Sequence, residues 1–488
     1  MRSVRDRVAT PALALSFGLL LLVGVAGPDA AKPGLGPRGW APGELPWSPG
    51  AALVTGLLWT AYVVGAVGVW LRLRAARGGA NSPFAWVGAG RLRGWAVPAG
   101  LAVLALLTGP FGSADHTNYA AYGRIAALGG DPYLTPPSGW PSPDRVISAV
   151  EPPWADTVSV YGPFATMLQS LTSHLAGDNL RQTVWLWQVL VVLAWLAVRA
   201  LLLRAGATPS RVDTLWTLNP LVFGIGVLGA HVDLVAAALA VAALVLAARS
   251  PVGSGAFAGL AVSCKITYGV VVLAVLLAWW THGRVGLPRR LAGFVVAALV
   301  VVVPLHLWAG AHVFDQLDRA RRSISLATPW RLLYEELNGP LGGARARVLV
   351  TWLAVALVLV LVVVLARLTR AVVPPTVTGA AVRWALVLGT AYTLAAPYSL
   401  PWYDLLTWAT LPVLGASVLD SILLVRLATM AVAYVPGRVV GMTPAVERLT
   451  LWVRRTPAPY AVLLVWGWLT LAVRRASSHS REPRSPAP

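Results

Sequence analysis

Charge is scarce in this chain of 488 residues, where Asp, Glu, Lys and Arg together make up only 12%. A soluble domain carries about 25%, so a soluble fold is excluded. Cysteine is scarcer still. The single thiol, Cys264, lies in an apolar stretch, which leaves no disulfide framework and no thiolate metal site. Lysine is nearly missing: Lys32 and Lys265 stand among 39 basic residues, and the remaining 37 are arginine. Alternating in–out segments of about ten residues are also lacking, which argues against an outer-membrane barrel. What the chain has instead is 57% hydrophobic residues and a mean hydropathy of +0.68, gathered in continuous runs. Such runs are long enough to cross a hydrocarbon core of roughly 30 Å. The composition predicts an all-α polytopic membrane protein. The net charge of +20 does not indicate nucleic acid, because the arginines sit at the ends of apolar runs rather than on one face.

The hydropathy pattern predicts twelve spans, at 10–27, 51–71, 94–110, 184–203, 213–229, 231–248, 291–309, 347–366, 380–397, 404–417, 419–435 and 459–473. Arg2, Arg5 and Arg7 place the N-terminus inside, and Arg72, Arg74, Arg77, Arg91 and Arg93 follow the second span on the same side. The first run reads as a retained span; the signal-peptide alternative rests on small residues at Ala30 and Ala31. Residues 158–176 carry Gln169, Ser170, Thr172, Ser173 and His174, and a span there would put Arg199, Arg204 and Arg211 outside. They read as an interfacial or re-entrant helix. Residues 253–281 read as a hairpin of two half-helices turning near Lys265, because a single span would export Arg284, Arg289 and Arg290. That topology puts Lys265 toward the cytoplasm, far from the outer loops unless the hairpin reaches deep. Residues 1–475 form one transmembrane domain, with outer loops at 111–183 and 310–346. The tail 476–488 reads as disordered.

The first large outer loop is the acidic one. Five of the 19 acids, Asp115, Asp131, Asp144, Glu151 and Asp156, fall within 111–163, opposed only by Arg124 and Arg145. Asp115 lies just beyond the third span, at the membrane–water boundary. Partial desolvation there makes a carboxylate a stronger base. Tyr119 and Tyr122 follow at helical spacing, with Arg124 within two turns. Asp is equally a favoured N-cap, so Asp115 reads as a base, as the cap of a helix over 116–128, or as both.

The run D-x-x-x-Y-x-x-Y-G-R from Asp115, then G-x-D-P-Y and Y-G-P, resembles the actinobacterial polyprenol-phosphate-mannose-dependent mannosyltransferases of the GT-C class. Asn219-Pro220-Leu221, Gly229-Ala230-His231-Val232-Asp233, Lys265-Ile266-Thr267 and Pro401-Trp402-Tyr403 continue the likeness in order, over roughly three-fifths of the chain. In particular the chain resembles the α-1,6-mannosyltransferases that build the mannan backbone of lipomannan in the cell envelope. The resemblance implies a catalytic carboxylate at Asp115 that deprotonates the acceptor hydroxyl. That oxygen then displaces polyprenyl phosphate from the sugar with inversion, on the outer face of the plasma membrane. Its implied partners are a polyprenyl-phosphate sugar donor, a glycan or glycolipid acceptor and membrane lipids. It implies no cofactor. Many GT-C enzymes pair two acids at this point, whereas here Asp115 is followed by His116, so no metal is assigned.

Other polar residues carry a functional and a structural reading side by side. His231 and Asp233, in a tight outer turn, suit a donor phosphate or acceptor contact, or a satisfied histidine between helices. Lys265, alone in an apolar hairpin, suits a lipid phosphate or a structural hold on the break. Arg322, with Arg319, Arg321 and Arg331, suits phosphate, or a solvated helix on headgroups. Trp402 and Tyr403 suit a sugar face, or an aromatic belt at the interface. Tyr119, Tyr122 and Arg124 complete the candidate substrate-binding set. Two other classes stay open: a transporter or flippase of an amphipathic solute, favoured by the broken hairpin, and an inactive accessory subunit that binds donor lipid.

Overall fold

The computed structural model describes residues 4–77, 93–315 and 323–479. Arg322, Arg319, Arg321, Arg91, Arg2 and residues 480–488 of the expected tail lie outside them. Among the described residues the regular structure is helical throughout, without a strand.

Helices α1 (Val4–Val25), α2 (Ala51–Arg77) and α3 (Arg93–Leu106) precede the acidic loop segment, which contains α4 (Asp115–Ala127) and α5 (Pro163–Ala176). After α6 (Leu180–Arg204) come the short α7 (Pro209–Val212) and α8 (Pro220–Val222), then α9 (Val232–Leu246), α10 (Pro251–Cys264) and α11 (Val270–His282). The chain continues through α12 (Leu287–Ala309), α13 (Pro329–Leu341), α14 (Gly343–Thr369) and α15 (Val377–Ala395). It ends with α16 (Leu405–Thr410), α17 (Val418–Tyr434), α18 (Pro444–Arg455) and α19 (Pro457–His479). Pro163, Pro251, Pro329 and Pro444 each sit at a helix start, where the missing N–H is not needed and the fixed φ is already helical.

Seven helices among the described residues are long and apolar enough to cross a bilayer. They cover the expected spans at 10–27, 51–71, 184–203, 291–309, 347–366 and 380–397, and the last within Pro444–Arg475. The others are not uniform spans. The 94–110 run is a helix of 14 residues, and 419–435 is one of 17. The 213–229 run is broken into π-turns on either side of Asn219-Pro220, because proline supplies no N–H to continue the ladder. Its last part, Pro220–Leu228, meets α9 at 110°. The 404–417 run is reduced to short turns around Pro401 and Pro412. Residues 476–479, expected in a disordered tail, continue α19.

Two expectations for irregular segments agree with the coordinates. Helix α5 turns Thr166, Gln169, Thr172 and Ser173 inward and leaves Met167, Leu171 and Leu175 exposed. A helix with its polar face inside and an apolar stripe outside is built to contact lipid. The 253–281 hairpin also forms. Near the foot of α10 the Ser254 hydroxyl donates to the Ala243 carbonyl, and near the end of α11 the Trp279 indole donates to Ala247. Both far ends therefore lie by the end of α9, and the break lies by its beginning. The hairpin reaches all the way to the Asp115 end, so Lys265 lies near Asp115 and not far from it as the expected topology suggested.

Lys265 itself is extended, ending α10. The Gly162 amide donates to the Cys264 carbonyl at 3.0 Å, and a Cβ at Gly162 would overlap the Ser263 backbone. The Tyr161-Gly162-Pro163 motif thus docks the acidic loop on the break, and only glycine permits that approach.

Candidate functional site

Helix α4 begins at Asp115, and every residue from Asp115 to Gly123 is buried. Its N-cap is Ala114, with no side-chain capping bond; the Asp115 amide instead donates to the Ser113 hydroxyl at 3.3 Å. The capping reading of Asp115 is therefore corrected, and its carboxylate is not spent on the helix terminus.

The Gly229–Asp233 turn delivers two side chains in different directions. Ala230 is left-handed, with φ of 51°, the one non-glycine residue among the described residues with positive φ. That conformation is costly for a side chain bearing a Cβ, and such outliers mark functional constraint. Beyond it, His231 Nδ1 lies 3.4 Å from Asp115 Oδ2 and 3.4 Å from the Tyr119 hydroxyl. The Val232 amide donates to that same hydroxyl at 3.5 Å. Asp233 points the other way and pairs with Lys265, whose Nζ stands 2.7 and 2.8 Å from its two oxygens.

Pro401-Trp402-Tyr403 closes the site from the opposite side. The Trp402 ring stacks on His231 at 3.7 Å and 15°, and the Tyr403 ring lies 4.1 Å from Lys265 Nζ. Buried Arg426 holds this segment, with Nη1 2.6 Å from Asp404 Oδ2 and Nη2 bonded to Thr393 and Ser399. A buried guanidinium bonded through both Nη atoms ties the backbone around Trp402 to Thr393 and Ser399.

Two cavities meet at Asp115. The larger, about 510 Å³, runs from Asp115, Asn118 and Tyr122 past Lys265 to His306 on α12 and Val355 on α14. The smaller, about 300 Å³, is walled by Glu151, Arg438, Glu447 and Arg454. Asp115, Trp154, Tyr398, Leu400 and Tyr434 border both. The first wall is mostly apolar and built from membrane helices; the second sets Glu151, Arg438, Glu447 and Arg454 among apolar side chains.

The structure thus gathers Asp115, Tyr119, His231, Asp233, Lys265, Trp402 and Tyr403. Tyr122 borders the larger cavity, but its hydroxyl donates to the Thr157 carbonyl at 2.8 Å. Arg124 is not in the site. Its Nε pairs with Asp144 at 2.8 Å and its Nη1 with the Gly177 carbonyl, so it ties α4 to the rest of the acidic loop. Burial alone would raise the Asp144 carboxyl, yet the Arg124 bond and the Ile147 and Val146 amides hold it below the usual range. Arg322 lies outside the described residues. Its neighbour Arg331 pairs with Glu335 on α13, in keeping with a solvated helix.

Sequence reasoning missed Asn118, Tyr398, Tyr434 and Arg438. Asn118 was visible as the i+3 partner of Asp115 on a helix. Arg438 bonds Glu151 and the Asp29 and Lys32 carbonyls, contacts between segments hundreds of residues apart that no local pattern announces. Among the described residues no three His, Cys, Asp or Glu side chains converge as a metal site.

Residues 16–281, more than half of the chain, match the family model described as alpha-(1->6)-mannopyranosyltransferase, N-terminal domain. A probable alpha-(1->6)-mannopyranosyltransferase of Mycolicibacterium smegmatis (strain ATCC 700084 / mc(2)155) is 32% identical over 145 residues, covering 28% of this chain and 24% of that protein. The chain thus matches about a quarter of the length of that relative. Among solved structures, ArnT from Cupriavidus metallidurans bound to undecaprenyl phosphate aligns with a TM-score of 0.40 and 16% identity, over 74% of this chain and 71% of that one. Its apo state aligns at 0.37 with 17% identity, over 73% and 70%.

Proposed function

The chain belongs to the alpha-(1->6)-mannopyranosyltransferase family, and on that premise we propose that it transfers a mannosyl residue from polyprenyl-phosphate mannose to a mannan or glycolipid acceptor, by the inverting GT-C reaction. The observation that carries this reading is Asp115 at the meeting point of an apolar cavity and one that carries charged side chains. A lipid-linked sugar requires an apolar slot between membrane helices, and a hydrophilic acceptor requires a polar approach to the same carboxylate.

In this reading the larger cavity takes the donor and the smaller the acceptor. Asp115 removes the proton from the acceptor hydroxyl. The resulting oxygen forms a bond to the anomeric carbon as the bond from that carbon to the phosphate oxygen breaks. Polyprenyl phosphate leaves with the bonding pair, and the proton stays on Asp115. Lys265, held by Asp233 and Tyr403, stabilises the charge that grows on the departing phosphate. The Lys265 break, which favoured a transporter when read from sequence, lies in the same cavity as Asp115, which supports transfer.

The site faces outward in this reading. Arg72, Arg74, Arg204, Arg249, Arg284, Arg289 and Arg290 follow or precede spans at the other end, and the acidic loop 111–163 lies at the Asp115 end, while the arginines of 310–346 and 436–457 run against the bias; cytoplasmic loops carry such an arginine excess.

The test uses vesicles containing the full chain, labelled polyprenyl-phosphate mannose and a short α-mannoside. Wild-type transfer that falls about 10²-fold or more in Asp115→Asn at equal expression is expected of a lost general base. Transfer unchanged by the substitution removes Asp115 as the base, and no wild-type transfer removes the donor or acceptor assignment.

A further inference from the structure

One turn of α4 beyond Asp115 stands Asn118, whose side chain the reaction above does not use. It is 4% exposed, borders the larger cavity, and its amide oxygen has no hydrogen-bond partner among the described residues. Native proteins keep few buried polar atoms unpaired, and each one asks what completes it. Asp115, Asn118 and Tyr122 follow one another at i, i+3 and i+7, which puts them on one helical face, and all three border the same cavity. The Tyr122 hydroxyl already donates to Thr157, and Lys265 is engaged by Asp233. On the α4 side of this cavity Asn118 is the group with capacity to spare; elsewhere in the lining the Thr157 hydroxyl is also buried without a partner among the described residues. A carboxamide both donates and accepts, which suits adjacent hydroxyls of a sugar ring. Asn118 borders only the larger cavity, whereas Asp115 borders both, so the sugar it meets is the one being transferred.

We infer that Asn118 is a specificity-determining residue that hydrogen-bonds ring hydroxyls of the donor hexose. The inference rests on the proposal that the larger cavity holds the polyprenyl-phosphate donor. A site built to bond a hydroxyl rejects an analogue lacking it, because its own polar group is then left unpaired. Asn118 therefore separates hexoses by the position and orientation of hydroxyls, a task the apolar wall cannot perform.

The experiment compares wild type with Asn118→Leu in vesicles, using polyprenyl-phosphate mannose and a set of donors each lacking one ring hydroxyl. Wild type is expected to lose about 10²-fold or more in kcat/KM on one or two of the deoxy donors. Asn118→Leu is expected to lose a comparable factor on the intact donor and to treat those same deoxy donors as its equals. The other deoxy donors keep their relative rates. Inhibition by sugar-free polyprenyl phosphate, which lacks the contacted group, stays unchanged and reports that the cavity is intact. The inference is overturned if the variant discriminates as wild type does, if all donors fall in proportion, or if the sugar-free lipid loses its inhibition in parallel. A wild type that turns over no polyprenyl-phosphate mannose overturns the transferase reading, and this inference with it; normal turnover with unaltered discrimination in the variant sinks the inference alone.

Discussion

His231 Nδ1 and Asp115 Oδ2 stand 3.4 Å apart, although 116 positions separate them in the chain. Three neighbours hold the imidazole there: the Trp402 ring stacked on it, the Tyr119 hydroxyl, and Gly229, where a Cβ would come within 2.7 Å of the ring. A base whose partner is locked by packing meets its substrate in one geometry, and small misplacements of such groups cost large factors in rate.

His231→Gln is expected to lower kcat about tenfold or more while leaving the donor KM near its wild-type value, since it acts by positioning Asp115. In an Asp115→Asn background the same substitution should have little further effect, because groups acting as a unit are non-additive. Steady-state kinetics of the two single variants and the double variant decide this. Additive losses would separate the two residues.

In the Lys265–Asp233 pair Asp233 is buried and Lys265 half-buried, with side-chain exposures of 3% and 13%. Asp233→Asn leaves the ammonium without its counter-charge and is expected to destabilise the protein by roughly 1–3 kcal/mol, read as a lower Tm in detergent. Lys265→Gln should weaken inhibition by free polyprenyl phosphate about tenfold or more, given the net worth of charge-assisted bonds. Unaltered inhibition would place the phosphate elsewhere.

Arg124→Gln should leave the donor KM unaltered, because Arg124 serves the acidic loop rather than the site. Its effect appears in acid. The folded carboxyl of Asp144 is held low, so its contribution is present above the usual carboxylate range and is lost as pH falls through the depressed value. The protection factors of the 144–150 amides, exchange corrected for its intrinsic pH dependence, should fall between pH 6 and pH 3 in wild type. In Arg124→Gln they should start lower and change less.

His116 is buried with neither ring nitrogen bonded. Burial, with the nearby charges of His231, Arg438 and Lys32, pushes it down to about 3 from the ordinary 6.5. The folded protein keeps it neutral while the unfolded chain takes up a proton below pH 6.5. Stability is therefore complete above that pH and falls steadily toward pH 3, by on the order of 2 kcal/mol at pH 5. Thermal unfolding of His116→Asn should be flatter over pH 6.5–5 than that of wild type. Parallel curves would assign the acid sensitivity to other groups.

Much of the architecture was legible because membrane segments announce themselves locally. Long apolar runs became α1, α2, α6, α12 and α14, and the arginine count across 253–281 exposed the hairpin before any contact was known. The two expected spans that break, 213–229 and 404–417, share one cause. Hydropathy averages over a window, and it does not register Asn219-Pro220 or Pro401 and Pro412, where a missing N–H breaks the helix while the run stays apolar. The site was legible as a set of residues, though not as a set of contacts. Arg124 shared a helix and a motif with Asp115, yet two turns along α4 carried it to Asp144 instead.

The amino-acid sequence by itself determined the helical membrane class, the irregular segments at 158–176 and 253–281, and most of the polar residues around Asp115. These follow from local quantities: hydropathy, helix breakers, and the cost of an ionisable group in an apolar run. Only the tertiary structure decided which of them meet. His231 reaching Asp115, Lys265 pairing with Asp233, and two cavities sharing one carboxylate depend on how helices far apart in the chain pack together. In a chain so poor in charge, each buried ion must find a partner, and the packing of the helices decides which one.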